Sequence, residues 1–193
     1  MKSSIRRIEG NWDLGYVLDK HVLSSTYLGE NAQGHPQFDT TRSEVGEALF
    51  RLKYRSDWSQ IDPLARELAV SIYPKFDTVE ILIPMPPSNR RVKQPVTALA
   101  EALGRLVDRP VFEGLLIKRA DGKQLKDLHS KLEKVEALEG SFSVQDQIEG
   151  NGPWNALLVD DLFDTGASLE EACAALRTYP KIRKIYVAAL TWK

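Results

Sequence analysis

Two adjacent aspartates, Asp160 and Asp161, are followed after two apolar residues by Asp164-Thr-Gly-Ala-Ser168, and no other stretch of the sequence is better equipped for chemistry. Carboxylates side by side offer acceptor oxygens to a pair of vicinal hydroxyls. Gly166 permits a tight turn. The amides of its neighbours join the unpaired amides of a helix's first turn, so several N–H groups and the positive end of a helix dipole converge on one spot. That spot suits a phosphate, with the Thr165 and Ser168 hydroxyls as further donors. A phosphate cradle beside a carboxylate pair describes a site for a ribose 5-phosphate.

The elements that must hold these residues are legible on either side. Residues 156–159, Ala-Leu-Leu-Val, lie between Gly152-Pro153 and the two acids, and read as a strand buried on both faces, whose natural home is a parallel sheet. Ser168-Leu-Glu-Glu171 has capping-box spacing and predicts a helix capped by Ser168, with Leu169, Ala172, Cys173 and Leu176 on one apolar face.

In residue type and in spacing, this strand, acid pair and Asp164-Thr-Gly-Ala-Ser168 loop resemble the ribose-phosphate signature of the type I phosphoribosyltransferases. The resemblance implies that Asp160 and Asp161 hold the 2- and 3-hydroxyls of phosphoribosyl pyrophosphate (PRPP). It places the 5-phosphate among Asp164, Thr165, Gly166, Ala167 and Ser168. It also implies a pyrophosphate contact in the loop after the first core strand, where Pro87, Ser88, Asn89 and Arg90 stand. A flexible catalytic loop falls on Lys118, Arg119, Lys123 and Gln124.

Within this superfamily the sequence is similar to the ComF group over about residues 49–190. The similarity is carried by Leu52-Lys-Tyr-Arg-Ser-Asp57, Ile83-Pro-Met-Pro-Pro-Ser88 with Arg90 and Gln94, Arg119 with Gln124, and Gly140-Ser-Phe-Ser-Val144. ComF proteins usually begin with a cysteine zinc ribbon, which this sequence lacks. They tend to carry Thr or Ser where Asp164 stands, whereas purine phosphoribosyltransferases carry an acid there, which points towards base chemistry.

The implied fold is α/β, a type I phosphoribosyltransferase-like parallel sheet flanked by helices, with a small hood-like appendage. Residues 1–42 would form that β-rich appendage and residues 43–193 the core, as one compact unit. The implied activity is Mg²⁺-dependent transfer of phosphoribose from PRPP to a nucleobase or other nitrogen acceptor, with Asp164 as general base and Asp160 and Asp161 touching the metal through water. Two other readings stand beside it: a non-catalytic regulator that uses the same pocket to bind PRPP or a nucleotide, and a DNA-uptake accessory that uses the basic stretch 118–134.

Composition narrows the partners. With 26 Lys and Arg against 27 Asp and Glu, the net charge of −1 provides no field drawing the 193-residue chain to nucleic acid or anionic lipid. The single cysteine, Cys173, excludes a disulfide framework and a cysteine zinc site. No apolar run approaches a membrane span, so a cytoplasmic protein without a membrane partner is expected. The oligomeric state stays open, a homodimer included.

Further elements follow from pattern. Residues 16–18 and 22–28 read as two antiparallel strands. Thr41-Arg-Ser-Glu44 has capping-box spacing and opens a helix through Arg55, whose Arg51, Lys53 and Arg55 either are solvated or face a polyanion. A helix over 61–73 would be capped by Asp62 with Pro63 following. A strand over 79–83 ends at Pro84-Met-Pro-Pro, where open α/β sheets bind ligands, and Pro95 begins a helix. Strands are expected at 111–117, 141–144 and 184–191, with a lid-like polar stretch after Lys118. Trp192 is either a base-stacking residue or a frayed end.

Overall fold

The computed structural model describes residues 1–88, 92–119 and 140–193. Its centre is a strand buried on both faces. In β8 (Trp154–Phe163), Leu157 and Val159 enter one apolar cluster while Ala156 and Leu158 enter the other, and all four are fully buried. β9 (Ile182–Trp192) repeats this division, with Tyr186, Ala188 and Leu190 on one side and Ile185, Val187 and Ala189 on the other. With β1 (Arg6–Arg7), β2 (Leu14–Lys20) and β5 (Ile81–Pro84), they make a five-stranded sheet in the order β1-β2-β9-β8-β5. β2, β9, β8 and β5 run parallel, and β1 pairs antiparallel at the edge.

Helices α1 (Glu44–Tyr54), α2 (Ile61–Ser71) and α3 (Pro95–Val107) supply Leu49, Leu64, Leu68, Leu99 and Leu103 to the first cluster. The helix over Ala167–Arg177, α4 here, supplies Leu169, Ala172, Cys173 and Leu176 to the second. That second face is shared with a small antiparallel pair, β6 (Leu116–Lys118) and β7 (Phe142–Val144), through Leu116 and Phe142. The architecture is thus the expected α/β sheet covered by helices on both faces. Among the described residues no helix is long and apolar enough to cross a membrane.

Residues 16–18 do not pair with 22–28. They belong to β2, which lies parallel to β9 with Tyr16 opposite Ala188, and Val17 and Leu18 are fully buried because each sheet face is covered. The intervening Asp19-Lys20-His21 is no hairpin turn, since the His21 amide donates to the Trp192 carbonyl at 2.8 Å and carries the chain on. Residues 22–28 lie in β3 (Val22–Glu30), which pairs antiparallel with β4 (Pro36–Arg42) in a separate, largely exposed ribbon. Within the first 42 residues, therefore, 6–7 and 14–20 are strands of the central sheet, and the ribbon accounts for the rest of the strand content.

Helix starts also differ from the sequence pattern. Ser43, not Thr41, caps α1: its Oγ accepts from the Gly46 amide at 2.9 Å and donates to the Lys20 carbonyl at 2.6 Å. α2 starts at Ile61, so Asp62 and Pro63 sit in its first turn, while the Asp57 side chain caps a short turn of 3-10 helix before it. α4 starts at Ala167, behind Gly166 at φ +84°, and has no side-chain cap. Glu171 instead accepts from the Gly140 amide at 2.8 Å. Of residues 111–115, Val111 makes an isolated bridge with Leu82 and the Phe112 amide donates to the Leu82 carbonyl at 2.9 Å without a strand forming, and β7 pairs with β6 rather than with the central strands. Trp192 is no frayed end, for it pairs with Phe163 and packs on the second cluster.

Candidate active site

Two neighbouring strands of unequal length create the site. β8 continues beyond the expected Val159 to Phe163, still paired with β9, whereas β5 stops at Pro84 opposite Val159. The Met85 amide makes one last bond to the Val159 carbonyl at 2.8 Å, after which Pro86 and Pro87 have no N–H to continue the ladder. Among the described residues no strand pairs with that edge of β8 beyond this point, and there stand Asp160 and Asp161.

A cavity of about 540 Å³ opens over them. Its wall includes Asp160 and Asp161 of β8, Ser168 of α4, Pro87 and Ser88 after β5, Lys118 of β6 and Lys53 of α1. Six residues chosen from sequence therefore meet on one surface: Asp160, Asp161, Ser168, Pro87, Ser88 and Lys118. Thr165, Gly166 and Ala167 form the turn leading to Ser168, and Asp164 stands exposed at its start. The Arg119 amide donates to the Ser141 carbonyl at 2.7 Å, and its side chain is not part of the cavity wall. Asn89, Arg90, Lys123 and Gln124 lie outside the described residues.

The turn has the geometry of an anion cradle. Gly166 adopts a left-handed conformation at φ +84°, and a Cβ there would stand 3.0 Å from Phe163 Cε2. Phe163 is in turn braced edge-on by Trp12, with ring centroids 6.4 Å apart. The first helical bond of α4 runs from the Glu170 amide to the Gly166 carbonyl at 2.9 Å. The amides of Ala167, Ser168 and Leu169 precede that bond at the positive end of the helix. Thr165 Oγ1 lies 3.4 Å from the Ala167 amide. Since Ser168 does not cap α4, its side chain faces the cavity without that competing duty.

The two acids have different surroundings. Asp160 Oδ1 accepts from the Asp161 amide at 2.8 Å, and Asp161 Oδ2 is paired with Lys53 Nζ at 2.8 Å. Burial, and then the charge of Asp161, push the Asp160 carboxyl well above the usual carboxylate range, against the opposing pull of the Asp161 amide, Lys53 and Lys118. The Asp161 carbonyl accepts from Thr191 Oγ1 at 3.2 Å, and that hydroxyl meets His21 Nδ1 at 3.2 Å. Burial holds the His21 imidazole below its ordinary value, helped by Arg42, Lys53 and Lys193 and opposed by Asp161. Lys118 Nζ reaches Ser88 Oγ at 3.2 Å and lies 5.5 Å from the centre of the Phe142 ring.

The sequence pattern left Arg51, Lys53 and Arg55 undivided, and the structure separates them. Arg51 pairs with Asp57 at 2.6 Å and Arg55 lies over the Phe50 ring at 5.8 Å, so Lys53 alone of the three serves the cavity. Tyr54, Gln94 and Phe142 also line it; they stand within the motifs that carry the ComF resemblance but were given no role in the site.

No protein-family model matches the chain. The competence protein ComFC of Bacillus subtilis (strain 168) is 30% identical over 140 residues, which cover 71% of this chain and 55% of that protein. The chain thus spans about half the length of this relative. Adenine phosphoribosyltransferase from Trypanosoma brucei, solved in complex with AMP, pyrophosphate and ribose-5-phosphate, matches over 100% of this chain and 76% of its own, with a TM-score of 0.53 and 12% identity. The chain is a ComF-like protein of the phosphoribosyltransferase fold. In this ComF-like protein the cavity lies where open parallel sheets gather ligands, outside the carboxyl ends of the strands.

Proposed function

We propose that the protein binds PRPP and transfers its phosphoribosyl group to a nitrogen acceptor, a nucleobase being the first class to test. The observation that supports this reading is the acid pair and the helix-start turn opening into one cavity with the loop after β5 and with Lys118. In this reading the amides of residues 167–169 and the hydroxyls of Thr165 and Ser168 hold the 5-phosphate. Asp160 and Asp161 accept from the 2- and 3-hydroxyls, while Ser88, Lys118 and the loop after β5 face the pyrophosphate.

The reaction forms a bond from acceptor nitrogen to the anomeric carbon as that carbon's bond to pyrophosphate breaks, through a transition state with oxocarbenium character. The acid pair stabilises the positive ring, and Lys118 draws charge from the leaving group. Asp164, exposed beside the turn, takes the proton of the incoming nitrogen. Among the described residues there is no group of three or more His, Cys, Asp or Glu able to hold a metal ion. Asp160 and Asp161 are the residues that would hold Mg²⁺, through water, if it enters with PRPP. Mg²⁺ carried on pyrophosphate oxygens would offset the charge of the leaving group.

A second reading is favoured by similarity to a competence protein: the same pocket binds PRPP without turnover and serves DNA uptake. Pyrophosphate release measured over a panel of bases separates the two. Turnover with one of them, falling about a hundredfold in Asp164→Asn with PRPP affinity nearly unchanged, is the expected result. Binding of PRPP without release for any acceptor would support the second reading instead.

A further inference from the structure

Adjacent carboxylates at the mouth of a cavity repel each other, and something must offset that charge before a ligand arrives. At Asp161 the offset is a side chain. Lys53 Nζ stands 2.8 Å from Asp161 Oδ2, with the two side chains only 25% and 13% exposed. The lysine lies in the last turn of α1, where Leu49 and Leu52 are fully buried against the sheet, so its backbone is fixed. An ammonium has three donors, and one of them is spent on Asp161. Its compact charge imitates a hard cation more closely than a guanidinium would. Among the described residues a second cation acts on Asp160, Lys118, which also reaches Ser88.

We propose that Lys53 is the fixed cation of the sugar end of this site, supplying at Asp161 the positive charge that a divalent ion would otherwise bring. Ribose 5-phosphate is then gripped without metal, and Mg²⁺ would be required only where a pyrophosphate is bound. This rests on the ribose-phosphate reading given above, and the experiment separates the two.

Ribose 5-phosphate, which has no pyrophosphate, is titrated by calorimetry into the wild type, Lys53→Met and Lys53→Arg, each with EDTA and with Mg²⁺. The wild type should bind with affinities within about twofold in the two conditions. Lys53→Met should lose roughly tenfold or more in EDTA, as expected for removing a charged donor, and should recover part of it when Mg²⁺ is added. Lys53→Arg, which keeps the charge and the fold, should stay within about fivefold of the wild type in EDTA. Wild-type binding that requires Mg²⁺, or Lys53→Met binding as tightly as wild type in EDTA, would overturn the role of Lys53 and leave the ribose site standing. Absence of wild-type binding in both conditions would overturn the ribose site and the inference together.

Discussion

The crossings from β5 to α3 and from β8 to α4 leave neighbouring strands at the same edge of the sheet and are built in opposite ways. From β8 to α4 the chain needs only residues 164–166, turns on the left-handed Gly166 and stays braced by Phe163 and Trp12. From β5 to α3 it takes residues 85–94, begins with prolines that end the ladder, and exposes Ser88, whose hydroxyl meets Lys118. The first crossing presents backbone amides and strand-borne acids. The second presents side chains from a longer loop. A sugar phosphate has one shape and can be met by fixed backbone, whereas a pyrophosphate that must leave is better met by groups that can follow it.

If that contrast is right, the largest effects come from the short crossing. Gly166→Val forces a β-branched residue into φ +84° and drives its Cβ to 3.0 Å from Phe163 Cε2. The conformation alone costs about 1–2 kcal/mol, a fall in Tm of roughly 2–8 °C for a chain of this size, and ribose 5-phosphate binding should fall more than about tenfold. Thermal melts and calorimetry measure both, and a variant indistinguishable from wild type would break the comparison.

An intermediate effect concerns stability and pH. The Asp160 carboxyl is raised in the folded chain, mainly by burial, so between the ordinary carboxylate range and its raised value the folded state keeps a proton that the unfolded chain has lost. Stability therefore declines as pH rises through that window, and Asp160→Asn removes the decline. The variant should melt roughly 2–4 °C above wild type near pH 8 and show no gain near pH 4. A gain of equal size at both values would contradict the origin given for the shift.

The smallest effect belongs to the long crossing. Ser88→Ala removes one exposed hydroxyl, and PRPP affinity should weaken by about two- to fivefold, with ribose 5-phosphate affinity unchanged. A loss shared by both ligands would mean that the two ends of the site are not separate.

The contrast also explains what the sequence could disclose. The strand through residues 156–159 was legible because an uninterrupted apolar run has few other homes, and the acids and Gly166 fell in one register behind it. β2 was not, because Leu14-Gly-Tyr-Val-Leu-Asp-Lys20 mixes small, aromatic and charged residues, and its parallel partner β9 lies far along the chain. Ser168-Leu-Glu-Glu171 imitated a capping box, but Gly166 made the turn without a side-chain cap and Glu171 was recruited by Gly140. Lys53 was one of three alternating cations in the pattern, and only tertiary contacts could say which one turns inward. Tyr54 and Phe142 stand within motifs of the ComF resemblance, but that they line the cavity is decided by packing.

The central claim is that Asp160 and Asp161 and the turn at Gly166 form one sugar-phosphate site. Calorimetric titration of PRPP into the wild type and into the doubly substituted Asp160→Asn, Asp161→Asn protein tests it most directly. Losing both carboxyl groups should weaken binding by at least about a hundredfold while the thermal transition stays cooperative. Equal affinity in the two proteins, or no binding by the wild type, would contradict the account.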